Sequence, residues 1–232
     1  MSNNNTQNTF DPLFLKLPPE FQKKMEEESK KRAEEFDKTL NNVVQKISDA
    51  GWTLPMEMGI YPINVLGQTD EISDVNKFFV WYFTGDNHSA FEKLIHNILT
   101  SNIDEKFKPA INQCVFAYEN NQYIICVVTL LTVIEGILSS FYPDKTNTKM
   151  KAVCKRQVEK FSSSEHIIEK HVWNSYKNFI NKLYYSTEFS NNEPTFINRH
   201  WLLHGRSAYN VNQEDCLRLF NAIDTICCVS GK

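Results

Sequence analysis

The sequence predicts an all-α protein on three observations. The 232 residues include only seven glycines and eight prolines, with few of the Asn-Gly or Asp-Gly pairs that mark hairpin turns. Long stretches instead carry apolar residues three or four positions apart, which is the spacing of an amphipathic helix. With 41% hydrophobic and 23% charged residues, the chain has the composition of an ordinary globular protein with a substantial core.

The N-terminal residues, 1–18, are rich in asparagine and threonine, and we expect them to form a disordered tail. Its first ten residues, MSNNNTQNTF, have neither a basic region nor an apolar region of the kind found in secretory signals. The six cysteines form no C-x-x-C pair and stand mostly among apolar neighbours, which is typical of reduced core residues. We therefore expect a cytoplasmic protein.

Residues 19–104 are predicted to form an N-terminal helical region. It begins with a highly charged run in which apolar residues recur at helical spacing until Gly51 ends the helix. The following segment, GWTLPMEMGIYP, has too many prolines and glycines to continue that helix. Shorter helices are predicted at about 71–83 and 87–101.

Residues 105–232 are predicted to form a second helical region. Two neighbouring helices, near 105–119 and 121–141, are separated by Glu119-Asn120-Asn121. The remaining helices are expected at about 147–160, 165–186 and 212–229, and Asn212 is predicted to be the N-cap of the last one.

The helix near 121–141 is almost long enough and apolar enough to cross a membrane. However, it contains two threonines, two serines and Glu135, and an ionisable residue near the middle of a membrane span is costly. We expect a core helix and no membrane association.

Positive charge is concentrated in residues 145–182, where nine Lys/Arg face three Glu, a local charge of +6 in a chain whose total is −3. Such a stretch can attract phosphates, although a lysine-rich helical surface is also common without any ligand. The candidate RNA-binding residues are Lys149, Lys151, Lys155 and Arg156, together with Arg206 farther along the chain.

The stretch NRHWLLHG, residues 198–205, holds the candidate catalytic residues. His200 and His204 are four residues apart and share one face of a helix, as two zinc ligands would. In the H-E-x-x-H pattern of zinc hydrolases a glutamate follows the first histidine, whereas Trp201 stands here. A third ligand would have to come from His171 or Cys154, so no metal site is predicted.

Arg199 and His204 suggest phosphodiester chemistry instead. A histidine can give and take a proton near neutral pH, and an arginine can stabilise charge developing on a phosphate. Five residues of regular helix would set these two side chains about 140° apart. The motif therefore either spans a helix start or a bend, or two copies face each other. In a purely structural interpretation, the three residues between the histidines are core and His204 caps a turn closed by Gly205.

Two blocks of the sequence resemble the HEPN superfamily, particularly its Abi-like and Apea-like members. The stretch NRHWLLHG fits the R-x(4-6)-H signature of that superfamily, within the longer block INRHWLLHGRSAYNVNQEDCLRLFNAID. The run YENNQYIICVVTLLTVIEGILSSF resembles the central helix. The resemblance covers about residues 105–232, and it implies a helical bundle of HEPN type with a helical N-terminal extension.

The same resemblance implies a metal-independent endoribonuclease without cofactors, acting in prokaryotic phage defence (abortive infection) or in a toxin-antitoxin stress response. It implies RNA as substrate, a homodimer with a composite active site, and an antitoxin or regulatory protein as a further partner. Where HEPN toxins carry a tyrosine that a partner modifies, this chain has Arg206, and the nearest tyrosine is Tyr209. The alternative is a non-catalytic HEPN-like module that binds RNA, a nucleotide or a protein.

The resemblance also implies a role for each candidate. Arg199 would hold and neutralise the scissile phosphate, His204 would act as general acid or base, and His200 would orient its neighbours. Asn198 and Glu135 are secondary candidates. A carboxylate in an otherwise apolar helix needs a partner, and for Glu135 that partner would be Arg199 or a histidine.

Overall fold

The computed structural model describes residues 18–69, 71–142, 149–163 and 166–229. Within these ranges the chain forms α-helices and no β-strand, so the all-α prediction is confirmed. Membership of the HEPN type stays a prediction. The helices are α1 (Pro19–Asp49), α2 (Ile60–Gln68), α3 (Ile72–Thr84), α4 (Ser89–Thr100), α5 (Lys108–Glu119), α6 (Tyr123–Ser140), α7 (Met150–Lys160), α8 (Ile167–Leu183), α9 (Arg199–Leu203) and α10 (Gln213–Cys227).

Most predicted helices occur within a few residues of their expected positions, and the two that were not among the predicted helices are α2 and the short α9. The prolines and glycines of 51–62 indicate a break in helical structure, but Pro62 lies in the first turn of α2, where backbone N–H groups have no helical partner. Several predictions fall outside the described residues, namely the tail up to residue 17, the first residues of the helix at 147–160, Lys145 and Glu165.

The chain divides into two units, Met1–Lys38 and Thr39–Lys232. The described part of the first unit is helical, and its residues 19–35 are all exposed to solvent. The second unit contains one continuous core that includes Val43, Phe79, Leu130 and Ile223. The predicted division between residues 104 and 105 lies within this unit and stays a prediction.

The last helix, α10, lies in the core of the second unit, and every residue from Asp215 to Cys227 is buried. It packs against α3, α4, α6 and α8. The Asn212 side chain accepts hydrogen bonds from the backbone N–H groups of Glu214 and Asp215, while the Asp215 carboxylate accepts one from the backbone N–H of Asn212. The predicted N-cap is thus confirmed as half of a reciprocal capping box, which fixes where α10 begins.

The helices α5 and α6 form a hairpin, and α6 packs on α10 and α7 as well. By length and composition α6 is the one described helix that could cross a membrane. Eight of its residues are buried in the second unit, and they are Cys126, Val127, Leu130, Leu131, Val133, Ile134, Ile137 and Leu138. Burial of this apolar surface fixes the orientation of α6, which also contacts α9.

The segment after α1 is buried although it has no regular structure. Trp52 stacks on Phe79 with ring centroids 4.3 Å apart. Thr53 contacts Thr225 of α10 at 2.8 Å, and the Leu54 backbone N–H donates to the Ser175 hydroxyl of α8 at 3.0 Å. Side chains of neighbouring helices thus satisfy backbone groups that would be costly to bury alone. All six cysteines are free, and five of them are buried, as their apolar neighbours suggested.

Candidate functional site

The candidate motif forms a single short helix with a well-defined start and end. The Asn198 side chain accepts hydrogen bonds from the backbone N–H groups of His200 and Trp201, at 3.0 and 3.2 Å. Its amide group also donates to the Tyr185 carbonyl at 2.8 Å, so Asn198 ties α9 to the end of α8. Asn198 is therefore the N-cap of α9, so the motif spans a helix start, which is one of the arrangements expected for it. The other arrangement, two copies facing each other, stays a prediction.

The helix ends one residue before His204. Gly205 adopts a left-handed φ of 63°, its N–H donates to the Leu202 carbonyl, and the Arg206 N–H donates to the Trp201 carbonyl. This pair of hydrogen bonds is a Schellman motif, which stops a helix at a glycine. In the purely structural interpretation His204 caps a turn closed by Gly205, and the structure shows this cap, while Trp201 and Leu202 are buried and Leu203 is half-buried. A regular-helix angle of 140° between Arg199 and His204 does not apply, because His204 lies outside α9.

Arg199 pairs with Glu135 of α6. Its Nε donates to Glu135 Oε1 at 2.7 Å and its Nη2 to Oε2 at 3.4 Å, so the guanidinium meets the carboxylate along one edge. The side chains of this pair are 32% and 26% exposed. The partner expected for a carboxylate in an apolar helix is therefore Arg199. Nη1 makes no contact with Glu135 among those the structure describes, and a guanidinium has donors beyond the two used here.

Tyr184, at the end of α8, is a third member of this cluster that the sequence did not indicate. Its hydroxyl donates to Glu135 Oε1 at 2.6 Å, and the Arg199 guanidinium lies over its ring at 5.9 Å. Burial and the adjacent Glu135 carboxylate raise the pKa of Tyr184 well above its ordinary value, although Arg199 opposes the shift. Tyr184 therefore keeps its proton at neutral pH. Its hydrogen bond fixes the Glu135 carboxylate, which in turn binds Arg199.

The two histidines belong to a separate aromatic cluster. The rings of His200 and His204 have centroids 4.6 Å apart, and Phe189 stacks on His200 at 4.5 Å with an interplanar angle of 4°. Phe189 also makes T-shaped ring contacts with His204 and Trp201, while the Arg206 guanidinium lies over its ring at 5.5 Å. His204 and Arg206 are exposed, whereas His200 is half-buried. Phe189, in the loop before α9, thus positions both imidazole rings.

Of the five catalytic candidates, the structure brings together Arg199 with Glu135, and His200 with His204. Asn198 connects the two sets through the backbone, since it caps the helix that carries both. No hydrogen bond or ring contact joins Arg199 to His204 among those the structure describes. One subunit therefore offers a cation fixed at the first residue of α9 and an imidazole pair whose exposed member, His204, directly follows the last residue of α9.

The loop after the motif is held by contacts to neighbouring segments. Glu193 accepts hydrogen bonds from the Ser207 hydroxyl and from the Ala208 backbone N–H, the latter at 2.7 Å. Tyr209 is half-buried and its hydroxyl donates to Asp215 at 3.3 Å. Burial and the Asp215 charge raise the pKa of Tyr209 to about 12. Tyr209 is therefore protonated at neutral pH and anchored to the start of α10.

The candidate RNA-binding residues lie mostly on α7. Lys149, its N-cap, and Lys151, Lys155 and Arg156 are exposed. Lys155 is 3.9 Å from Glu159, and the Arg156 guanidinium lies 5.8 Å from the Tyr142 ring centroid. Arg206 does not belong to this surface, because it lies over Phe189 beside the histidines.

The two further ligands considered for a metal site with His200 and His204 lie elsewhere in the fold. His171 on α8 and Cys154 on α7 are both buried in the core. In the part of the chain that the structure describes, no group of three or more His, Cys, Asp or Glu side chains is arranged to hold a metal ion.

Comparison with models of protein families, with curated proteins and with solved structures finds no match to this chain. A function for this chain is therefore proposed from the chemistry and the geometry of the motif, together with the resemblance of its sequence to HEPN proteins.

Proposed function

We propose that the chain is a metal-independent endoribonuclease of HEPN type. The observation that carries the proposal is the pair of imidazole rings 4.6 Å apart on a helix that begins with an arginine fixed by Glu135. In this reaction the ribose 2′-hydroxyl attacks the adjacent phosphorus and the bond from phosphorus to the 5′-oxygen breaks. One group must take the proton of the 2′-hydroxyl and another must give a proton to the leaving oxygen.

His204 is exposed and is the proposed acid or base. His200 orients it through the ring contact and is itself held by Phe189. Arg199 would bind the scissile phosphate through its remaining N–H donors, while Glu135 and Tyr184 keep the guanidinium in place. In this scheme Asn198 acts indirectly, because it fixes the start of α9.

The proposed setting follows from the resemblance to HEPN proteins. The chain would be a cytoplasmic enzyme that acts in phage defence by abortive infection or in a toxin-antitoxin stress response. Its partner would be an antitoxin or a regulatory protein, and it would not associate with a membrane. The anchored position of Tyr209 and the presence of Arg206 after the motif argue against restraint through a modified tyrosine.

The test is an RNA cleavage assay in EDTA. Wild type, His204→Ala and a control variant, His96→Ala, would each be incubated with total RNA and the product ends mapped. His96 is an exposed histidine on α4 and serves as the matched control. We expect wild type and the control to leave 2′,3′-cyclic phosphate or 3′-phosphate ends, and His204→Ala to leave RNA intact. Cleavage that stops in EDTA and returns with zinc or magnesium would refute the metal-independent mechanism.

The second candidate is a non-catalytic module that binds RNA, a nucleotide or a protein. One observation favours it. Arg199 is bound by Glu135 and lies over the Tyr184 ring, and among the described contacts none joins Arg199 to His204. For this candidate, wild type would retain labelled RNA in a filter-binding assay without shortening it, and His204→Ala would bind equally well.

A further inference from the structure

The first 20 residues of α1 carry apolar side chains that the described residues leave exposed. Phe21 is 58% exposed and Met25 is 55% exposed. We propose that residues 19–38 pair with the same residues of a second copy of this chain, as two antiparallel helices related by a two-fold axis at Ser29. This interface is distinct from the motif of α9 and does not depend on the proposed activity.

The apolar stripe of this segment fits such a pair. Phe21, Met25, Ser29, Ala33 and Phe36 follow one another at intervals of four, four, four and three residues, which places them on one side of the helix. With Ser29 at the axis, the large Met25 lies level with the partner's small Ala33, and Phe21 lies beside the partner's Phe36. The small Ser29 at the centre lets the two backbones approach closely.

The charges beside the stripe are complementary in the antiparallel arrangement. On one flank Glu26 lies next to the partner's Lys30, and Lys23 lies next to the partner's Asp37. On the other flank Glu28 lies next to the partner's Arg32, and Lys24 lies next to the partner's Glu35. The two-fold axis produces every one of these pairs twice.

A parallel arrangement would be repulsive, because each charged block would meet its own copy. The acidic block at 26–28 would face the partner's acidic block, and the basic block at 30–32 would face the partner's basic block. Charges that flank an apolar seam set the partner and the direction of paired helices. The sequence of the segment therefore selects an antiparallel second copy.

The same charges also form pairs along the helix itself. Lys23 is 3.9 Å from Glu27, and Glu28 is 4.0 Å from Arg32. Such pairs add to the stability of an isolated helix, but they leave Phe21 and Met25 in water. Pairing with a second copy accounts for the exposed apolar residues as well as for the charges.

The experiment uses two full-length charge-reversal variants. In the first, E26K/E27K/E28K, every charged residue between 23 and 32 is basic. In the second, K30E/K31E/R32E, the charged residues of the same range are acidic except for Lys23 and Lys24. In sedimentation equilibrium the wild type is expected at twice the monomer mass of 27.1 kDa. Each variant alone should dissociate at least tenfold more readily, and an equimolar mixture should form a heterodimer as stable as wild type.

If the charges form ion pairs only within one helix, the mixed dimer should not be preferred. Ion pairs within a helix are the same whether the other chain is the same variant or the other one. The control is E92K/E119K, which changes exposed charges on α4 and α5 and should leave the wild-type mass unchanged. A monomeric wild type, or variants that stay dimeric without preferring the mixture, would overturn the proposal.

Direction is tested by cross-linking in a C228S background, since Cys228 is the one cysteine that is not buried. Level positions in the antiparallel pair are 25 and 33, so a mixture of Met25→Cys and Ala33→Cys chains should form a disulfide under mild oxidation. Met25→Cys alone should not, because the two copies of position 25 would be about 12 Å apart along the axis, beyond disulfide reach. Efficient cross-linking of Met25→Cys with itself would rule out the antiparallel arrangement.

Discussion

Arg199 Nε lies 2.7 Å from Glu135 Oε1, a contact that joins α9 to α6 across 64 positions of the chain. Glu135 also accepts a hydrogen bond from Tyr184, so its carboxylate has partners from two other segments. The arginine of the candidate motif is therefore part of the packing between helices as well as a cation available to a ligand. His204, by contrast, is exposed at the end of α9.

This difference predicts unequal effects of two alanine substitutions. We expect His204→Ala to change the free energy of unfolding by less than about 0.5 kcal/mol, since His204 is an exposed residue. Arg199→Ala leaves the Glu135 carboxylate with Tyr184 alone and should cost about 1–2 kcal/mol, a range that allows for partial exposure of the pair. Urea denaturation would measure both. Both variants should lose RNA cleavage.

Glu135→Gln supplies the control for that comparison. In the double variant R199A/E135Q neither partner is left with an uncompensated charge, so part of the stability lost in Arg199→Ala should return. Arg199→Lys should rescue cleavage poorly, because a lysine lacks the planar fork that can hold Glu135 and a phosphate together. A larger loss of stability in His204→Ala than in Arg199→Ala would show that the pair adds little to the fold.

The sequence predicted the parts of the site that depend on neighbouring residues. The N-cap at Asn212 and the turn at Gly205 could be predicted because capping involves residues within one turn of each other. The pairing of Glu135 followed from the cost of burying a charge in an apolar helix. Phe189 and Tyr184 could not be predicted, since neither lies in a local pattern and Tyr184 reaches Glu135 across 49 positions.

The fold shows the same limit at α2 and at the segment before it. Helix α2 contains Pro62 and Gly67, which usually indicate an interruption, yet here they occupy its first and last turns. The buried segment that follows α1 has no helical spacing of apolar residues. Its backbone groups form hydrogen bonds with side chains of α8 and α10 instead of with each other. Local patterns cannot reveal partners that arrive from 121 or more positions away.

Asp224 of α10 predicts a pH-dependent stability. Burial, together with the charge of Glu57, raises the pKa of Asp224 from 3.8 to about 7, while Asn97 and Lys93 oppose the shift. A carboxyl group whose pKa is higher in the folded state than in the unfolded state stabilises the fold while it is protonated. Its contribution is fully present below pH 3.8 and is lost as the pH rises through about 7.

Asp224→Asn should remove this loss, because the amide stays neutral. Between pH 4 and pH 8, the free energy of unfolding of the variant relative to wild type is expected to increase by an amount on the order of 4 kcal/mol. This amount corresponds to the size of the pKa shift. Urea denaturation at pH 4.5 and pH 8 would measure the gain. Equal differences between variant and wild type at the two pH values would show that Asp224 titrates normally.

The basic surface of α7 predicts an electrostatic contribution to RNA binding. The triple variant K151Q/K155Q/R156Q should bind single-stranded RNA more weakly, and the slope of log affinity against log salt should fall by about 2, at roughly 0.7 for each phosphate that the variant no longer neutralises. The control triple, K77Q/K93Q/K106Q, removes three lysines that pair with Asp74, Glu57 and Asp104. If the control lowers the slope equally, binding responds to net charge and α7 is not the RNA surface.

The final prediction is a composite active site formed by two copies of NRHWLLHG facing each other in a homodimer. Within one subunit, Arg199 is held by Glu135 and Tyr184 while His204 contacts His200 and Phe189, yet cleavage needs a base, an acid and a cation around one phosphate. A two-fold axis would bring the arginine of one subunit towards the histidine of the other.

Mixing two inactive variants tests this arrangement. Heterodimers of Arg199→Ala with His204→Ala keep one intact arginine and one intact histidine, carried by different chains. If Arg199 of one subunit acts with His204 of the other, co-expression should restore measurable cleavage, because one such pair is complete. The recovered cleavage should stay below about half of the wild-type value, because only one of the two His204 side chains remains to transfer protons. Each variant alone should stay inactive. If the mixture is as inactive as its components, while wild type is active and dimeric, the arginine and histidine act within one subunit.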